Sequence, residues 1–132
     1  MNLSNEERDA VVNYRINKSE AALKEAEGNF QLGFWTVVAN RLYYSCYYIV
    51  SALLIKNGFT VQTHGGAIRL FGLHFVAKGI VPKEIGKLHG KLFELRQTGD
   101  YDDVYSLEKE DVEFLIEPTK EFVDTIKELI KQ

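Results

Sequence analysis

Among 132 residues there is one cysteine, and there are two prolines and three histidines. Each scarcity removes a class of chemistry. The lone Cys46 permits no intramolecular disulfide and no cysteine-based zinc site. The histidines, at 64, 74 and 89, are too scattered for a paired metal-ligand spacing, so the sequence implies neither a metal nor a cofactor. Positive charge is not in excess either. With a net charge of −3 the chain as a whole does not attract nucleic acid, and any contact with RNA or DNA must come from a local patch. Residues 34–55 form the longest apolar-rich stretch, but Asn40, Arg41, two serines and four tyrosines interrupt it. It reads as a buried helix and not a membrane span. The first ten residues are polar and acidic, without the look of a signal peptide. No nucleophile elbow, P-loop or dinucleotide fingerprint occurs. A cytoplasmic single domain over 1–132 is expected, with 45% hydrophobic residues to build its core.

What is present is helical periodicity almost throughout. Ser4 followed three positions later by Glu7 is the capping-box signature of a helix start. Val12, Ile16, Leu23, Ala26 and Phe30 then share one face, with a gap at Ser19, until Gly33. A second helix runs from 34 to Asn57-Gly58 and is apolar on more than one side, which makes it the central helix. Thr63 caps a third that reaches Lys78-Gly79, and Pro82 opens a fourth that extends to about Thr98. Ser106, followed by Glu108, Glu110 and Asp111, opens a fifth that Pro118 should kink or divide. No strand, repeat or low-complexity linker is seen. The expected fold is all-α, an up-and-down antiparallel bundle of four main helices plus a shorter fifth.

Several residues stand out within that frame. Arg41 lies in a stretch that otherwise favours burial, and helical spacing puts Tyr44 and Tyr48 on its face, with Tyr43 and Tyr47 on a neighbouring stripe. A buried guanidinium needs a partner, so Arg41 pairs with a carboxylate or serves a ligand. His64-Gly65-Gly66 follows the Thr63 cap, where outward N–H groups could meet an anion with His64 as donor, or where the glycines merely loosen a loop. His74, between apolar neighbours, reads as a packing histidine. His89 precedes Arg96 by two helical turns and shares its face. Arg96 suits a helix C-terminus for dipole reasons, with Asp100, Asp102 and Asp103 available to neutralise it, or else it holds a phosphate.

Three segments, "NRLYYSCYYIVSALL", "HGGAIRLFGLHFVAKG" and "KLFELRQTGDYDD", together resemble the HEPN superfamily, and its small stand-alone branch most closely. The resemblance spans about residues 5–131. It implies a bundle of four to five helices, usually dimeric, and often a toxin–antitoxin or defence setting beside a minimal nucleotidyltransferase. Active members cut RNA without a metal, using an arginine to hold phosphate and a histidine four to six residues later to move the proton. By position Arg96 matches that arginine, and Tyr101 stands where the histidine is expected. A phenol ordinarily titrates near pH 10, against about 6.5 for imidazole, so it is a poor base at neutral pH. The resemblance therefore implies a dimeric nucleotide- or RNA-binding or interaction module. Its cleft would draw on Arg41, Tyr44, His64, His89, Arg96, Asp100 and Tyr101. The alternative is a metal-free endoribonuclease with Arg96 and Tyr101 as a variant catalytic pair. A structural dimer with no ligand is a third reading.

Overall fold

In the computed structural model, which describes residues 2–101 and 106–132 (of Asp100 and Tyr101 the backbone only), Ser4 starts the first helix as its spacing requires. Its hydroxyl accepts from the Glu7 N–H at 3.1 Å, and the Glu7 carboxylate accepts from the Ser4 N–H at 2.9 Å. Helix α1, Asn5–Leu32, ends at Gly33, whose φ of 81° is one that a side chain would resist. Helix α2, Trp35–Lys56, follows, then the short α3, His64–Phe71, with the Thr63 hydroxyl capping Gly66 N–H at 2.9 Å. Helix α4 covers Lys83–Tyr101, α5 is the single turn Lys109–Val112, and α6 is Ile116–Lys131. The described residues contain no strand.

The core is built around α2. Val38, Ala39, Leu42, Tyr43, Cys46, Ile49, Val50 and Leu53 are all buried, and α2 packs against α1, α3, α4, α5 and α6. Burying a leucine- or isoleucine-sized side chain contributes about 1.5–3 kcal/mol, so this helix supplies much of the driving force for folding. Helix α1 reaches α2 through small residues, Ser19, Ala22 and Ala26. The gap in its apolar stripe is thereby explained. Ser19 donates to the Ser45 carbonyl at 2.7 Å and Ser45 donates to the Ser19 carbonyl at 2.9 Å, a reciprocal buried pair that lets the two backbones approach. Phe122, Val123, Ile126 and Ile130 give α6 its single apolar face against the same core.

Three expected boundaries move, each for a local reason. The third helix does not run uniformly to Lys78-Gly79. After Phe71 it widens into a π-helical turn, Gly72–Val76, in which the Ala77 N–H reaches back to the Gly72 carbonyl at 2.8 Å. The fourth helix does not stop near Thr98 but continues through Gly99 to Tyr101. A side chain at Gly99 would start 2.8 Å from Leu107 Cδ1 and 3.2 Å from Thr36 Cγ2, so glycine here serves close packing and not termination. The fifth helix is capped by Glu108 with Asp111, not by Ser106, because the Glu108 N–H finds the Asp111 carboxylate at 2.8 Å. It is then divided as Pro118 demands. A 3-10 turn, Glu113–Leu115, precedes α6, leaving the proline in the first turn, where its missing N–H costs nothing. The close α1–α2 contact generates a test: Ser19→Val adds methyl groups where two helices touch, and urea titration should show a loss of about 1–3 kcal/mol. An unchanged midpoint would mean that the two helices are not tightly apposed.

Candidate functional site

The site grows from the spacing of tyrosines on α2. Positions 43, 44, 47 and 48 are one or one-turn neighbours, so their rings form a two-stripe aromatic face. Tyr43 is the inner member and has no exposed surface, while Tyr44, Tyr47 and Tyr48 are partly covered. The start of α3 lays His64 on this face. The His64 ring stacks on Tyr47 with centroids 4.3 Å apart and an interplanar angle of 20°, and it lies 5.6 Å from Tyr43 and 5.7 Å from Tyr44. His64 Nδ1 and the Tyr43 hydroxyl share a short hydrogen bond.

From α4, Arg96 closes the other side. Its guanidinium carbon lies 5.0 Å from the Tyr43 ring centre and 5.5 Å from that of Tyr44, and Nη1 donates to the Tyr44 hydroxyl at 3.0 Å. Arg41 stands over Tyr44 at 5.0 Å, and Arg15 and Lys18 of α1 stand over Tyr48 at 5.9 and 5.6 Å. The α2 tyrosine face is thus bordered by cations from three helices. The carboxylate expected for Arg41 is Glu25, at 3.2 Å, and the side chain of Asn40 also accepts from Arg41, at 2.8 and 3.0 Å.

These neighbours set the protonation states. Burial, and then the charge of Arg96, hold the His64 imidazole below its ordinary range, so at neutral pH it is uncharged. Burial raises the Tyr43 hydroxyl well above the usual phenol range despite the opposing pull of Arg96. His89 is sealed in the core beside Tyr43, Phe71 and Phe122, and burial first, then the charge of His64, lower it to about 3. Among the described residues neither of its ring nitrogens has a hydrogen-bond partner.

The structure therefore brings Arg41, Tyr44, His64 and Arg96 to one face and places His89 behind it, out of reach of solvent. The side chains of Asp100 and Tyr101, and residues 102 and 103, lie outside the described residues. His74 packs on Phe59 at 4.6 Å, away from this face, as its apolar neighbours suggested. Tyr43 and Tyr47 were not singled out for the site, although four tyrosines within six positions were a visible signal. That they pack on His64, 21 residues beyond Tyr43, was not legible.

Comparison with known families matches residues 12–129 to the HEPN domain. The chain belongs to the HEPN family. Its HEPN relatives include a UPF0332 protein of Thermotoga maritima, 34% identical over 125 residues, which are 95% of either chain. Two Methanocaldococcus jannaschii proteins, each named a candidate toxin, are also similar. One is 28% identical over 115 residues, 87% of this chain and 78% of that one. The other is 31% identical over 117 residues, 89% and 87% respectively. Among the described residues of this HEPN domain no helix is long and apolar enough to cross a membrane.

The sealed His89 makes stability pH-dependent in a defined direction. Above its ordinary pKa of 6.5 the ring is neutral in both folded and unfolded chains. As pH falls from 6.5 towards about 3, the unfolded chain binds a proton that the folded one refuses, so stability falls. The slope attributable to this one group approaches about 1.4 kcal/mol per pH unit. Urea titrations from pH 7 to pH 4 should show His89→Leu with a flatter profile than the native protein. Parallel profiles would mean that His89 is not held neutral.

Proposed function

We propose that this HEPN domain is a nucleotide- or RNA-binding module. It acts as a homodimer and is paired with a minimal nucleotidyltransferase in a system of toxin–antitoxin or defence type. The observation that carries the binding reading is the α2 tyrosine face bordered by Arg15, Lys18, Arg41 and Arg96. Single-stranded nucleic acid is held by this combination, with cations following the phosphates and aromatic faces taking bases at about 1–3 kcal/mol each. A net charge of −3 is no obstacle, because a local group of cations, here Arg15, Lys18, Arg41 and Arg96, sets the field at the face they border. The two relatives named candidate toxins support the system-level part of the reading. Cleavage by an Arg96–Tyr101 pair remains the alternative, since Arg96 is the element both readings share.

Binding of a labelled, mixed-sequence single-stranded RNA, followed by anisotropy, tests the proposal. Arg96→Gln should weaken binding at least tenfold and make the dependence of log affinity on log salt shallower by about 0.7, the share of one phosphate contact on a single strand. Lys131→Gln, at the far end of the chain and paired with Glu128, should change neither. Equal losses in both variants, or no RNA binding at all, would remove the basis of the reading. Sedimentation at micromolar concentration tests the dimer, with a monomer as the contradicting result.

A further inference from the structure

We propose that the hollow between the π-helical turn and α4 binds a small aromatic carboxylate, one whose ring carries a hydroxyl at the end away from the acid group. The proposal does not depend on RNA binding. The hollow measures about 280 Å³, and Ile68, Phe71 and Val76 are among its walls. Three observations carry the assignment. The first is a pair of glycines, Gly72 from the π-helical turn and Gly90 from α4, that line it. Gly72 has the φ of −59° of an ordinary right-handed helix, and Gly90 is not among the glycines of positive φ. A side chain begun at either would meet no atom within 4 Å beyond its chain neighbours and its own helix backbone. Neither conformation nor packing calls for glycine, which is unfavourable inside a helix relative to alanine. Side chains at these positions would fill the hollow. The π-helical turn beside it is itself a rare element that recurs at functional sites.

The second observation is His89. It forms part of the same wall, and neither of its ring nitrogens has a hydrogen-bond partner among the described residues. A neutral imidazole offers one donor and one acceptor, and a hydroxyl, being both, answers either. Burial keeps this ring neutral at pH 7, so it selects a hydroxyl over a carboxylate. The third is the pair Lys83 and Lys87, exposed and one helical turn apart, which line the hollow from its solvent side. Their charge suits an acid group at the mouth. The ligand is thereby defined from end to end: carboxylate on the lysines, ring between Phe71, Ile68 and Val76, hydroxyl against His89. The His89 and Tyr43 ring centres are 5.8 Å apart, so the occupant sits one ring behind the tyrosine face.

Calorimetric titration of the full chain at pH 7 with 4-hydroxyphenylacetate tests this. The native protein should bind it with a dissociation constant of about 1 mM or tighter. Phenylacetate, lacking the hydroxyl, should bind about fivefold more weakly, and His89→Leu should erase that difference. Lys83→Gln combined with Lys87→Gln should weaken the acid about threefold or more while leaving the neutral 4-ethylphenol unchanged. Gly90→Leu should abolish binding of both acids with a thermal midpoint at or above the native one, which separates a filled hollow from a damaged fold. Should His89→Leu fail to fold, NMR of the native protein decides, since the His89 ring resonances should shift as 4-hydroxyphenylacetate saturates. No binding at about 10 mM would overturn the proposal. So would equal native affinities for the two acids, an unmoved His89 ring, or binding retained in Gly90→Leu.

Discussion

A phenol ring with no exposed surface has a single polar atom to satisfy, and the site depends on how Tyr43 satisfies its own. The hydroxyl meets His64 Nδ1. That one hydrogen bond fixes where α3 begins relative to α2 and turns the imidazole onto the tyrosine face. Leaving such a hydroxyl unpaired in the core would cost about 1–3 kcal/mol, so the pairing is structurally enforced whatever the site does. Arg96 of α4 lies over the same ring, and its Nη1 is oriented by the hydroxyl of Tyr44. Structural necessity and site geometry here are one arrangement.

The electrostatics follow from that packing. An acidic chain can still present a local field of the opposite sign when cations from several helices converge on one aromatic face. Arg15 and Lys18 of α1, Arg41 of α2 and Arg96 of α4 do so, with Glu25 pairing with Arg41 on its border. Cation–ring contacts are individually small, about 0.5–1 kcal/mol at exposed sites. Their role is to hold long side chains in place before a ligand arrives, which lowers the ordering cost of binding.

Much of the fold was legible because its signals are local. Ser4 with Glu7, Gly33, Asn57, Thr63 and the Pro82 and Pro118 breaks all act within a turn of where they sit, and HEPN membership could be read from three segments. What failed did so where tertiary contacts override local preference. Gly99 looks like a helix stop but is a contact point against Thr36 and Leu107, so α4 continues. Glu108 out-competed Ser106 because Asp111 could answer it. For the site, Arg41, Tyr44, His64 and Arg96 were legible as residue types. Their convergence was not, because Tyr44 and Arg96 are 52 positions apart and only packing brings them together. Likewise the shared face of His89 and Arg96 was legible, but not that the core seals one and leaves the other partly open.

The central claim is that the tyrosine face under Arg96 and His64 is where this HEPN domain meets RNA. Histidine side-chain NMR tests it most directly, since the three imidazoles occupy three different places. Titrating the native protein with a short single-stranded RNA should shift the His64 ring resonances progressively and leave those of His74, on the Phe59 side, unmoved. Shifts confined to His74, or none at His64 at saturating RNA, would contradict the account.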